Sequence, residues 1–283
     1  MLLKPRERDI GEMTVMRVLP DARCRSVGPF VFFDHMGPAE FRPGAALAVR
    51  PHPHVNLATI TYLFDGTIVH RDSLGVVEEI RPGEVNWMTA GRGIVHSERS
   101  PEADLERSAS LHGIQAWIAL PVHAEETEPS FVHHDADELP RFDEGGWQVG
   151  LIAGELLGRT SPVETLSPLF YAEARAAAAA SVVLGSADAE TAVYVVDGSI
   201  DAGGGSVNAG QMFVAGSEPF RLETDAGAHV MVLGGPALPE PRHIWWNFVS
   251  SRPERIEQAR RDWAEGRFDS VPGDDEYIPL PKK

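Results

Sequence analysis

Glycine and proline recur at short intervals along this chain, and that spacing confines it to short extended elements. Of 283 residues, 27 are Gly and 22 are Pro. Between them lie runs rich in β-branched and aromatic side chains: TVMRVL, FVFF, LATITYLF, GTIVH, VVEEI, EVNWM and GIQAWIAL. Such runs fit strands of about 4–8 residues better than helices of a dozen. The pattern predicts an all-β chain built as sandwiches or barrels.

The stretch HAEETEPSFVHHDADELPRFDEGGW (123–147) interrupts the pattern with acidic residues, two prolines and a Gly pair. It reads as a domain connection carrying one extra strand, SFVHH. A second β-rich region follows, with WQVGLIAGEL, PLFYAEAR, TAVYVVDGSI and HVMVLGG. The halves echo each other: YLFDGTI (62–68) matches YVVDGSI (194–200), each read as strands joined by an Asp-Gly hairpin turn. The expected organisation is two tandem domains, 1–125 and 126–283. Ser251-Arg-Pro-Glu254 has capping-box form with Ser251 as N-cap, and Gly266 suits a stop, which predicts a helix over 253–265. The tail after Gly273 is expected to be extended and to drape over the other domain.

The formal charge of −17 disfavours phosphate backbones and anionic lipid, so no direct nucleic-acid or membrane binding is expected. One cysteine, Cys24, rules out an internal disulfide framework and thiolate zinc sites. No secretory leader or spanning run is apparent, and a cytoplasmic location is expected.

The histidines carry the chemistry. Alternate residues of a strand share a face, so His52 and His54 point the same way if 52–64 is one strand. His96 and Glu98 repeat that spacing in GRGIVHSERSP. Two such strands can surround one ion with three imidazoles and a carboxylate. That donor set favours Fe, Mn, Co, Ni, Cu or Zn over Ca or Mg, and leaves positions open for exchangeable ligands. His70 could be a second acid or base, but reads first as a satisfied structural histidine beside Asp72 or Ser73. Asp34 and His35 could flank a pocket mouth or simply bond within a turn. Phe33, Trp87 and Met88 read as pocket wall or core, Arg92 as an anion contact or a solvated side chain, and His133-His134 as solvated.

Three segments resemble the pirin family of the cupin superfamily: FDHMGPAEF (33–41), RPHPHVNLATITYLFDGTIVHRDSLG (50–75) and RPGEVNWMTAGRGIVHSERSP (81–101). The general cupin signature places a glutamate where this chain has Thr59; Gly66 keeps its place, and Glu98 matches the relocated pirin carboxylate. The resemblance implies a bicupin, two tandem jelly-roll β-barrels with a short C-terminal helix. It also implies a metal in the N-terminal barrel only, held by His52, His54, His96 and Glu98. Consistent with this, the second half lacks both H-x-H and H-x-E at the matching places.

By the same resemblance, the expected activity is that of a quercetin 2,3-dioxygenase, opening the central ring of a flavonol-like aromatic with O2. The cofactor is one divalent transition metal, with Fe(II) the first choice and Zn, Mn, Ni, Co or Cu as others. Glu98 is the catalytic base. The competing expectation is a metal- or redox-sensing regulator that acts through a protein partner.

Overall fold

The computed structural model describes residues 1–11 and 13–282. The chain divides into two compact units that interleave in sequence. One comprises Met1–Arg6, Met16–Phe33 and Asp137–Pro239; the other comprises Glu7–Val15, Asp34–Ala136 and Glu240–Lys283. A linear division at 125/126 is therefore crossed at both ends of the chain. The C-terminal helix belongs with the histidine-bearing unit rather than with 137–239.

In the histidine-bearing unit a four-stranded antiparallel sheet runs in the order Ala48–His54, Ile94–Arg99, Ile68–Asp72, Val77–Ile80. A larger antiparallel sheet places Ser130–His134, Val85–Thr89, Leu57–Asp65, Ala109–Ala119 and Phe30–Phe41 side by side. The expected extra strand SFVHH is thus present as its edge. In the other unit, Met212–Gly216, Glu190–Ala202, Ala228–Gly235, Phe170–Ala176 and Trp147–Leu156 follow one another in an antiparallel sheet. The fold is all-β and of jelly-roll type, but its sheets remain open instead of closing into ring-like barrels. The core of the unit that contains 137–239 is built from Trp147, Leu151, Val193, Val195, Leu222 and Val230, all buried.

The stretch 52–64 is not one strand. Asn56 adopts a left-handed conformation, φ 59°, so the chain leaves the small sheet at His54 and enters the large one at Leu57. Asn is among the few residues with a side chain that tolerates this conformation. Its buried amide donates to the carbonyls of Gly91, 3.3 Å, and Glu125, 2.5 Å, which fixes the corner.

The Asp-Gly pairs are not hairpin turns either. Asp65-Gly66 ends a strand of the large sheet before the chain crosses to the small one, and Asp197-Gly198 bulges within the single strand Glu190–Ala202. The echo nevertheless has a structural counterpart. Asp65 pairs with His112 and Asp197 with His229, each beside a register shift. Gly66 and Gly198 both have positive φ. A Cβ there would lie 2.2 Å from the Ser110 carbonyl oxygen and 2.8 Å from that of Gly227. Close backbone approach therefore demands glycine at the same place in both halves.

The helix spans Pro253–Ala264, with Pro at its first turn and Gly266 at φ 66° just beyond it. Its N-cap is Arg252, not Ser251. The Ser251 hydroxyl and backbone N–H instead donate to Glu125, at 2.9 and 2.7 Å. Ile256 and Ala259 bury against Val55 and Phe248, with Trp245, Trp246, Trp263 and Phe268 around them. The tail is tied to the same unit: Arg99 forms a bidentate pair with Asp274, and Ile278 N–H donates to the Pro51 carbonyl.

Candidate metal centre

The strands Ala48–His54 and Ile94–Arg99 are antiparallel neighbours, with His96 directly opposite His52 and Ile94 opposite His54. Side chains two apart share a face, so three imidazoles converge. Their candidate ligand atoms all lie within 4.8 Å of one another. Ring centroids are 4.4 Å apart for His52–His96 and 5.0 Å for both His52–His54 and His54–His96. His54 and His96 are 1% exposed and His52 is 6%.

Burial favours the neutral imidazole in each ring. It pulls His52 down to about 4, against the carbonyl of Arg50, which raises it. Burial also holds His54 and His96 well below the ordinary histidine range, and neighbouring imidazoles add to the effect. Two ring orientations are fixed by backbone. His52 Nδ1 lies 2.9 Å from the Arg50 carbonyl and His54 Nδ1 lies 3.1 Å from the Asn247 carbonyl. A carbonyl only accepts, so both Nδ1 atoms carry the proton and both Nε2 atoms keep a lone pair.

The Nε2 atoms of His54 and His96 are buried without a hydrogen-bond partner among the described residues. A buried acceptor with nothing to accept from is costly. Two of them facing a third imidazole make a donor set that suits a transition metal, and the residues therefore fit the ion. The coarser expectation stands: a three-histidine group able to hold a metal exists in this unit.

Glu98 is buried on the same strand but is not part of that 4.8 Å set. A register shift separates it from His96. The Thr61 hydroxyl lies 3.3 Å from its carboxylate and 3.1 Å from the Gln115 side-chain oxygen. Burial raises its pKa, while His70 and hydrogen bonds from Thr61 and Gln115 work in the opposite direction.

Other expected residues fall into place around this group. His70 is a hydrogen-bonded histidine as expected, 3.0 Å from Asp72, but it also sits 3.3 Å from His96 and stacks on Phe131 at 4.4 Å. His35 is buried against His112, ring nitrogens 2.7 Å apart, rather than at a mouth. Phe33 is core in the other unit, 5.0 Å from Tyr194. Trp87 and Met88 are buried. Arg92 pairs with the exposed Glu128. His133 is half-buried, not solvated: it bonds Asn86 at 2.7 Å and lies between Glu84 and Asp135.

Sequence reasoning missed Trp117, whose ring meets His54 edge-on at 5.1 Å, and Asn247. Trp117 lies on a strand of the large sheet and Asn247 far along the chain, so no local spacing points to either.

The pirin family model matches residues 12–118, and that of the pirin C-terminal cupin domain matches 171–269. A pirin-like protein of Caulobacter vibrioides is 46% identical over 288 aligned residues, covering 100% of this chain and 99% of that protein. A Pseudomonas aeruginosa relative, provisionally named quercetin 2,3-dioxygenase, is 41% identical over 93% of this chain and 84% of its own. The crystal structure of a quercetin 2,3-dioxygenase from Acinetobacter baumannii is similar with a TM-score of 0.92 at 33% identity. That match covers 100% of this chain and 95% of the other.

Proposed function

The chain belongs to the pirin family, and from that premise we propose that it is a metal-dependent dioxygenase that opens the ring of a flavonol such as quercetin with O2. The observation that carries the reading is the convergence of three buried, neutral imidazoles, with a buried carboxyl of raised pKa further along the strand that carries His96. The names of the Pseudomonas and Acinetobacter relatives support the substrate class.

His52, His54 and His96 would hold the ion through Nε2, with Glu98 as fourth ligand or as the base beside it. When bound, a divalent transition metal, Fe(II) for preference, supplies a Lewis-acid and redox centre that acidifies an enol oxygen and makes its ring reactive toward O2. Glu98 takes the enol proton. A carboxylate whose pKa burial has raised is a stronger base than one in water, and Thr61 and Gln115 hold it in place. Trp117 and the apolar surroundings of His54 keep water from the rings. The ring opens with incorporation of O2 and loss of CO.

The test is O2 uptake and CO release with quercetin by the Fe(II)-reconstituted protein. The wild type should turn over. His52→Ala should lose metal and activity together. Glu98→Ala should lose most activity while retaining a metal, if it acts as base. Full metal occupancy without CO release rejects the flavonol reading. Failure to take up metal rejects the site.

A further inference from the structure

The geometry points to Asp72 and His70 as positioning residues that set the tautomer of His96 and so aim its Nε2 at the metal. This inference rests on the metal site described above, but it concerns two residues outside the ligand set.

The relay follows by elimination. Asp72 Oδ1 accepts from the backbone N–H groups of Leu74, 2.9 Å, and Val76, 3.2 Å, which pins the carboxylate at the end of its strand. Asp72 Oδ2 lies 3.0 Å from His70 Nε2. A carboxylate accepts, so His70 Nε2 carries a proton, and where that is the ring's one proton the lone pair lies on Nδ1. That lone pair lies 3.3 Å from His96 Nδ1, which must then be the donor. His96 is left with a lone pair on Nε2, the buried atom with no partner among the described residues.

The ladder explains why the three groups meet. Ile68–Asp72 pairs with Ile94–Arg99, with Asp72 opposite His96 and His70 opposite Glu98. His70 and Asp72, two apart, share a face with both. Phe131 stacks on the His70 ring, interplanar angle 20°, and holds its plane. His52 and His54 receive the same treatment from backbone carbonyls. His96 alone is oriented by side chains, which are open to mutation without moving the chain.

An imidazole oriented by a carboxylate-linked partner binds metal more tightly, and loss of such partners weakens affinity about 10- to 100-fold. The test compares wild type, Asp72→Asn, His70→Phe and the double variant, each titrated with Co(II) against a competing chelator. His70→Phe keeps the stack on Phe131 and removes both ring hydrogen bonds. Asp72→Asn keeps the acceptor for Leu74 and Val76. Each single variant should bind about 10- to 100-fold more weakly. The double variant should be no weaker than His70→Phe, because Asp72 acts through His70.

With 15N-histidine in the metal-free protein, the wild type should show a single His96 tautomer protonated at Nδ1, and Asp72→Asn a mixture. Wild-type affinity and an unchanged His96 tautomer in both single variants overturn the relay. So do multiplicative effects in the double variant, which would put the role of Asp72 in its turn. Failure of the flavonol reading does not touch these readouts, whereas a wild type that takes up no metal removes the relay together with the site.

Discussion

The Nδ1 proton of His54 is held by the carbonyl of Asn247, 3.1 Å away and 193 residues further along the chain. A candidate ligand early in the sequence is thus oriented by backbone from the C-terminal segment. That segment is anchored by Phe248, fully buried against Val55, and by the helix behind it. Phe248→Ala should therefore do two things. It should destabilise the unit by about 3–5 kcal/mol, as large-to-small changes at buried aromatics do. It should also weaken metal affinity, since the carbonyl beside it loses its seat. Calorimetry and metal titration measure the two effects; a Tm drop with unchanged affinity would separate Asn247 from the site.

Metal should stabilise the fold through the same rings. A ligand bound only by the native state at about 100 times its Kd adds about 2.7 kcal/mol. Fe(II) or Zn(II) should raise Tm, and EDTA should reverse the rise. In His54→Ala the rise should vanish, because one of three converging donors is gone. A metal-dependent Tm shift that survives His54→Ala would place the ion elsewhere.

Acid should weaken the metal-free protein before its carboxylates titrate. His52 has a pKa of about 4 in the native state against about 6.5 when unfolded. Between those values the unfolded chain binds the extra proton, so stability falls as pH falls. The contribution is intact above about 6.5, declines by up to about 1.4 kcal/mol per pH unit for this ring, and levels off below about 4. His54 and His96 are lowered as well and steepen the slope. Urea unfolding at pH 7, 6 and 5 measures it. His52→Gln should flatten the dependence, and an identical slope in that variant would count against burial of a neutral His52.

Asn56 should tolerate glycine better than alanine. Its φ of 59° costs a β-carbon-bearing residue about 1–2 kcal/mol, and its amide satisfies the buried carbonyls of Gly91 and Glu125. Removing the amide takes that donor from the Glu125 carbonyl, at about 1–3 kcal/mol, while the Gly91 carbonyl keeps the Asn56 backbone N–H, 2.8 Å. Asn56→Ala should cost roughly 2–5 kcal/mol, and Asn56→Gly about 1 kcal/mol less. Chemical denaturation of both variants checks the order; equal losses would put the whole effect in the hydrogen bonds.

The part of the site built from i, i+2 spacing was legible. His52, His54 and His96 could be paired because strand geometry alone puts alternate residues on one face, and the two strands prove to be neighbours. What spacing cannot reveal is which other strands lie alongside. His70 was legible as a structural histidine with Asp72 or Ser73 as its partner, but its link to His96 depends on a ladder between residues 26 apart. Trp117 and Asn247 come from still further away.

The fold class was legible in the punctuation by glycine and proline, whereas the meaning of particular turns was not. Asn56 divides an apparently continuous strand, since αL tolerance carries no mark in a hydrophobic pattern. Asp197-Gly198 has hairpin chemistry but sits in a bulge, because it still pairs with His229 and Ala228 at the end of the ladder and the strand runs on to Ala202. Ser251 has cap chemistry but is spent on Glu125. In each case a distant partner outcompeted the local option.

The interleaving of the two units sets an order of events during synthesis. All three imidazoles and Glu98 lie within the first 98 residues, yet their unit also includes residues 240–283. Asn247, Phe248 and the helix emerge only after the whole of the other unit has been translated. The backbone contact that orients His54 is therefore in place only after residues 240–283 have been made, and a metal that needs all three rings oriented would load after that point.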